Sequence, residues 1–129
     1  MKLTKLFGLS LFALLTAGTA KADYLVESYI AHISNVDKYN SKGERLTSPA
    51  AILRQDRANV HVFGKASSID DYDSFFDSIE NRALLERLLE RGYASPGAAE
   101  LIVYGNPLAL VEIYRSDEGY FYIRVGLAE

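Results

Sequence analysis

The C-terminal part of the chain alternates apolar and polar residues twice, over Pro107 to Tyr114 and Tyr120 to Val125, around the turn-forming segment Arg115 to Gly119. Period-two alternation on both sides of a short polar turn marks a β-hairpin with one buried face. A lone two-stranded hairpin is marginally stable in water, so the rest of the chain has to supply a further strand and a covering layer. Tyr24 to Ser34 (YLVESYIAHIS), rich in β-branched and aromatic residues, is the expected third strand.

The segment between is punctuated for helices. Ser48 can accept backbone N–H groups as an N-cap, and Pro49 suits the first helical position, so a helix is expected to about Phe63 with Gly64 as its C-cap. A second helix, from about Ile79 to Arg91, uses strong helix formers (ALLERLLER) and ends at Gly92. Ser95-Pro96 opens a third, shorter helix to about Tyr104, stopped by Gly105. The likeness of Ser48-Pro49-Ala50-Ala51 to Ser95-Pro96-Gly97-Ala98-Ala99 reflects shared helix-start chemistry rather than a repeat. Asn35 to Glu44 and Lys65 to Asp77 read as polar loops. The expected fold is α+β in the order β-α-α-α-β-β: a small antiparallel sheet, made of the N-terminal strand and the C-terminal hairpin, packed against about three helices.

The first 22 residues read as a cleavable signal peptide. Lys2 and Lys5 form a positive start, Leu6 to Ala17 is an uncharged apolar run, and Ala20-Lys21-Ala22 is an A-x-A-like cleavage site. The apolar run is shorter than the roughly 20 residues that a spanning helix needs. Residues 23–129 are then one small domain, exported and soluble, in the periplasm or outside the cell, with no membrane span after cleavage. The chain has no cysteine, which excludes disulfide scaffolds, thiolate metal sites, cysteine nucleophiles and a lipobox anchor.

Cleavage also changes the charge. All 17 acidic residues follow position 22, whereas Lys2, Lys5 and Lys21 precede it, leaving 11 basic residues and a net charge of about −6. Such a domain is a poor partner for nucleic acid, whose binding rests on Lys and Arg meeting phosphates, and an anionic membrane surface repels it.

Four constellations bear on chemistry. On the first helix, Ile52, Leu53, Val60 and Phe63 share a face, and Asp56 falls in the middle of it, while Arg54, Ala58 and His61 point away. A desolvated carboxylate needs a partner; an arginine such as Arg45 or Arg82, or loop N–H groups, would supply one. The catalytic alternative is an acid with a perturbed pKa. His32, near the end of the first strand, and His61, expected on the solvent side of its helix, are the two histidines available to it. They form no H-x-x-x-H or H-E-x-x-H spacing, no serine has a G-x-S-x-G elbow, and no metal or cofactor motif is present.

The acidic run Asp70-Asp71-Tyr72-Asp73-Ser74-Phe75-Phe76-Asp77 opens like a calcium loop, but Phe75 stands where an oxygen is needed and the following glycine is missing. Its aspartates are expected to favour the start of the second helix through its dipole, with Phe75 and Phe76 on the core. Ala83 to Tyr104 could be mistaken for a helix-turn-helix, but Pro96 to Tyr104 has no Arg or Lys to meet DNA, so an αα-hairpin is expected.

The hairpin is the most suggestive surface. Pairing Tyr114 with Tyr120, Glu112 with Tyr122 and Leu110 with Arg124 puts Val111, Ile113, Phe121, Ile123 and Val125 on the core face. The other face presents Leu110, Glu112, Tyr114, Tyr120, Tyr122 and Arg124, and tyrosines beside arginine are over-represented in binding surfaces. The expectation is a binding or accessory protein of a bacterial-type cell envelope, meeting a protein or envelope partner through Glu112, Tyr114, Tyr120, Tyr122 and Arg124. The alternative is a small hydrolase or lyase with a site near Asp56 and a histidine; self-association through hairpin edges is a third course.

Overall fold

A computed structural model describes residues 22–129, so all of the expected signal peptide except Ala22 lies outside the described residues. The elements are β1 (Tyr24–His32), α1 (Pro49–His61), α2 (Ile79–Ala83), α3 (Leu85–Arg91), β2 (Tyr93–Ala94), α4 (Pro96–Tyr104), β3 (Leu108–Arg115) and β4 (Phe121–Leu127), with single 3₁₀ turns at Asn35–Lys38 and Phe75–Asp77. The fold is α+β, with a small sheet packed against helices.

The sheet runs in the order β1-β3-β4-β2. β3 sits between β1 and β4, antiparallel to both, so the N-terminal strand does join the hairpin. Tyr29, Ala31, Val111, Ile113, Ile123 and Val125 point to one face and are buried there. Ile52 and Leu53 of α1, Leu85 and Leu88 of α3, and Ala98 and Ile102 of α4 meet them from the helical layer, with Phe76.

Both Ser-Pro helix starts work as the residues suggest. Ser48 Oγ accepts Ala51 N–H at 3.2 Å, and Ser95 Oγ accepts Ala98 N–H at 3.3 Å. The C-terminal carbonyls of α4 are met from the loop before α1: Lys38 donates to the Gly105 carbonyl, and Arg45 Nη2 donates to the Val103 carbonyl at 2.5 Å. Cations at a helix C-terminus answer its unpaired carbonyls and the negative end of its dipole.

Three features differ from expectation. The second helix is two, broken at Leu84. Propensity favours continuity through ALLERLLER, but Arg82 is anchored to the Phe76 and Asp77 carbonyls while Leu85 and Leu88 must reach the core. The link from α3 to α4 is a strand rather than a plain turn: Tyr93 and Ala94 pair in parallel with Arg124 and Val125. Gly92 permits this approach, since a Cβ there would lie 1.7 Å from the Ile123 carbonyl oxygen.

The third difference is the hairpin register. Tyr114 pairs with Tyr122, Glu112 with Arg124 and Leu110 with Gly126. Ser116 accounts for this. Its carbonyl accepts Gly119 N–H, its N–H donates to the Tyr120 carbonyl, and its Oγ accepts Tyr120 N–H, so the first pair is Arg115 with Phe121. A shift of two residues keeps every side chain on its expected face, whereas a shift of one would have inverted the sheet.

Candidate functional site

Two polar assemblies stand out, one buried and one on the open side of the sheet. At the centre of the first is Arg57, fully buried beside Asp56, which is 1% exposed. Arg57 Nε donates to Asp56 Oδ2 at 2.8 Å, and Nη1 donates to Asp73 Oδ1 at 2.8 Å and to the Asp71 carbonyl at 3.1 Å. Asp70 lies 3.6 Å from Nη2. The guanidinium covers the Tyr29 ring at 4.1 Å from its centroid, a cation–π contact strengthened by desolvation.

The expected partners of Asp56 are thus corrected. Arg45 and Arg82 are held by backbone carbonyls, and the neighbour Arg57 takes the role. Arg57 stands four residues after Leu53 and three before Val60, so the helical spacing that buries Asp56 also carries Arg57 inward. Burial pushes the Asp56 carboxyl well above its usual range; Arg57 opposes this, while Asp37 and Asp70 add to it. Its Oδ1 has no hydrogen-bond partner among the described residues, nor has the Tyr29 hydroxyl.

His61 is not on the solvent side. Its side chain is shielded, its Nε2 lies 2.8 Å from Asp73 Oδ1, and Tyr72 packs edge-on at 4.8 Å. A helical wheel leaves this side of α1 open, but the acidic loop folds across it. His32 does sit at the end of β1, with Nδ1 3.0 Å from Ser67 Oγ. Asp56 and His61 therefore belong to one network, joined through Arg57 and Asp73, but neither lines the two clefts beside α1, and nor does His32.

The aspartates of that loop serve the edge of β1 rather than the start of α2. Asp71 Oδ2 accepts Ile30 N–H at 2.8 Å, and Asp71 N–H returns a bond to the Ile30 carbonyl at 2.8 Å. Asp70 Oδ1 accepts His32 N–H at 2.7 Å, and Asp73 Oδ2 accepts Phe76 N–H at 2.6 Å. From the strand side, Glu27 accepts the N–H groups of Ser74 and Phe75. Phe76 is buried in the core and Phe75 packs against it, as expected.

The second assembly is on the sheet face turned away from the helices. Tyr114 and Tyr122 stack with centroids 5.4 Å apart and planes 10° from parallel, and Tyr120 leans against Tyr122 at 6.2 Å. Arg124 lies over Tyr114 at 5.0 Å and Tyr122 at 6.0 Å. Tyr114 donates to Glu112 Oε2 at 3.2 Å. Five residues singled out from the alternation, Glu112, Tyr114, Tyr120, Tyr122 and Arg124, thus form one contiguous group.

The sequence did not indicate three further members. Arg91, ending α3, lies over the Tyr120 ring at 5.3 Å, and β2 sets Tyr93 beside Arg124. Asp23 accepts the Tyr122 hydroxyl at 2.6 Å and the Asp117 N–H at 3.1 Å. The Tyr122 bond, with that N–H, holds the Asp23 carboxyl below its ordinary range, and the same bond pushes the Tyr122 phenol up. Tyr122 is consequently only 6% exposed and braces the stack, while Tyr120 and Tyr93, at 41% and 58%, are the rings open to a partner.

Among the described residues, no helix is long and apolar enough to cross a membrane and no acidic or histidine group is arranged to hold a metal ion. No protein-family model, curated protein or solved structure matches this chain.

Proposed function

We propose that this is a small binding or accessory protein of a bacterial-type cell envelope, exported by its N-terminal signal and working as a soluble domain through the tyrosine-lined sheet face. The observation that carries the reading is the Tyr114–Tyr122 stack, held from above by Arg124 and at its rim by Asp23 and Glu112. Rings fixed in this way lose little side-chain entropy when a partner covers them, which favours affinity. Tyr93 and Tyr120 offer large amphipathic surfaces beside Arg91 and Arg124, the residue types that dominate binding energy in interfaces.

A photo-crosslinking side chain at position 120 or 93, compared with one at Arg87 on α3, tests the reading in the native envelope. The expected result is one dominant, saturable adduct from 120 and 93 that Arg124→Ser weakens. Equal, unsaturable labelling from all three positions would refute it. Tyr120 is the better target than Tyr122, because removing Tyr122 also removes the tie to Asp23.

A further inference from the structure

A cleft of about 470 Å³ opens beside α1, away from the tyrosine group. α1 lends it Ala51, Arg54 and Ala58, α2 lends Ile79 and Arg82, and α3 lends Glu86. The volume falls in the range of small-molecule sites, which are mostly apolar with a few placed polar groups. The alanines make the room. Ile79, 64% exposed, and Phe63, 51% exposed, leave apolar surface on its lining open to water.

Charge sets this cleft apart. Arg82 is 7% exposed, and its Nη1 donates to the Phe76 carbonyl at 2.8 Å and the Asp77 carbonyl at 3.0 Å. These carbonyls orient the guanidinium without neutralising it. The ion pairs among the described residues involve only Arg57 and His61. Glu80 on the same helix is exposed and accepts the Ser78 hydroxyl; Arg82 lowers its pKa only as a minor influence through space. A buried cation without a counter-ion is costly. Among the described residues Arg54, exposed on the same lining, has no ion pair either, and Glu86 is the single acid there. Two arginines face one glutamate on a chain whose net charge is −3.

We propose that this cleft binds a small organic monoanion with an apolar body. Its carboxylate is met by Arg82 and Arg54, and its apolar part lies along Ala51, Ala58, Ile79 and Phe63. The two carbonyls occupy Nη1 of Arg82 and leave Nε and Nη2 as the pair of donors that would match a carboxylate, and Glu86 disfavours a dianion. The site is independent of the tyrosine face.

The probe is decanoate below its micellar concentration, added to the full protein and followed by calorimetry and amide chemical shifts, with decanol and decyl phosphate as comparators. Saturable one-to-one binding is expected, with shifts at Ala51, Ala58, Ile79 and Glu86, and a preference over decanol of about tenfold or more. Arg54→Gln should weaken binding by about threefold, because that residue is exposed. Ala58→Trp should fill the cleft and abolish binding while far-UV circular dichroism and the melting midpoint stay near wild type. Equal affinity for decanol, preference for decyl phosphate, or shifts centred on Tyr114 and Tyr120 would each overturn the proposal, as would no binding at about 1 mM, an affinity too weak for a built site.

Discussion

Asp56 shows what a helical wheel can and cannot deliver. Its burial follows from its place among Ile52, Leu53 and Val60, so the need for a partner was legible in the sequence. Its partner was not, because the choice among Arg45, Arg57 and Arg82 depends on which carbonyls and loops each arginine reaches after folding. Arg57 is surrounded by Asp56, Asp70 and Asp73. Replacing it with methionine keeps the bulk but leaves these carboxylates without their buried cation, and should cost about 3–5 kcal/mol in urea unfolding. Asp56→Asn acts in the opposite sense. Burial raises the folded-state pKa of Asp56, so its favourable contribution is complete below the unfolded value, near 3.8, and is lost as pH rises through the folded value. Asparagine does not ionise and its oxygen still accepts from Arg57. The stability of the variant relative to wild type should therefore increase from about pH 4 upward. Urea melts across this range check the trend; a difference independent of pH would mean that Asp56 has no raised pKa.

At the scale of elements, the helix caps and the joining of β1 to the hairpin were legible, whereas the break at Leu84 and the pairing of β2 with β4 were not. Ser48-Pro49 and Ser95-Pro96 cap their helices as their side chains require. β2 was illegible, because its two residues are strand only by virtue of β4 alongside, and the one trace of that approach is Gly92. Gly92→Ala would place a methyl group against the Ile123 backbone carbonyl, which cannot rotate away. We expect a loss of about 3 kcal/mol or more, at the upper end of overpacking costs, with amide exchange accelerated at Ser95, whose N–H donates to the Val125 carbonyl. The acidic loop presents the same lesson. Its run of aspartates suggests a cation, yet Asp70 and Asp71 are taken up by the N–H groups of His32 and Ile30 on the outer edge of β1. Edge strands expose such groups and proteins cover them. Asp70→Ala should cost about 1–3 kcal/mol by leaving the His32 N–H unpaired, and its exchange should quicken more than that of Ala31. Millimolar calcium should leave the melting temperature of the wild type unchanged, because binding would require these bonds to break first.

The whole molecule separates two surfaces on opposite layers. The sheet turns Tyr93, Tyr114, Tyr120 and Arg124 away from the helices, while the cleft lies among α1, α2 and α3. The first surface was legible because alternation assigns faces even when the register is off by two residues. The second was not, since Arg54 of α1 meets Arg82 of α2 and Glu86 of α3 only after the helices pack. Between the surfaces stands the buried core of Val111, Ile113, Ile123, Leu85 and Leu88. Coupling between distant sites needs an element with two arrangements that both sites bias, and these aliphatic side chains carry no charge or hydrogen bond through which one surface could bias the other. The surfaces should therefore act independently. Tyr120→Ser should leave decanoate affinity within about twofold, and Arg54→Gln should leave crosslinking from position 93 unchanged, since distant sites without shared partners add to within about 0.5 kcal/mol. A fivefold change in either direction, read by calorimetry or by adduct yield, would show instead that α3 transmits: it carries Glu86 on the cleft and Arg91 over Tyr120.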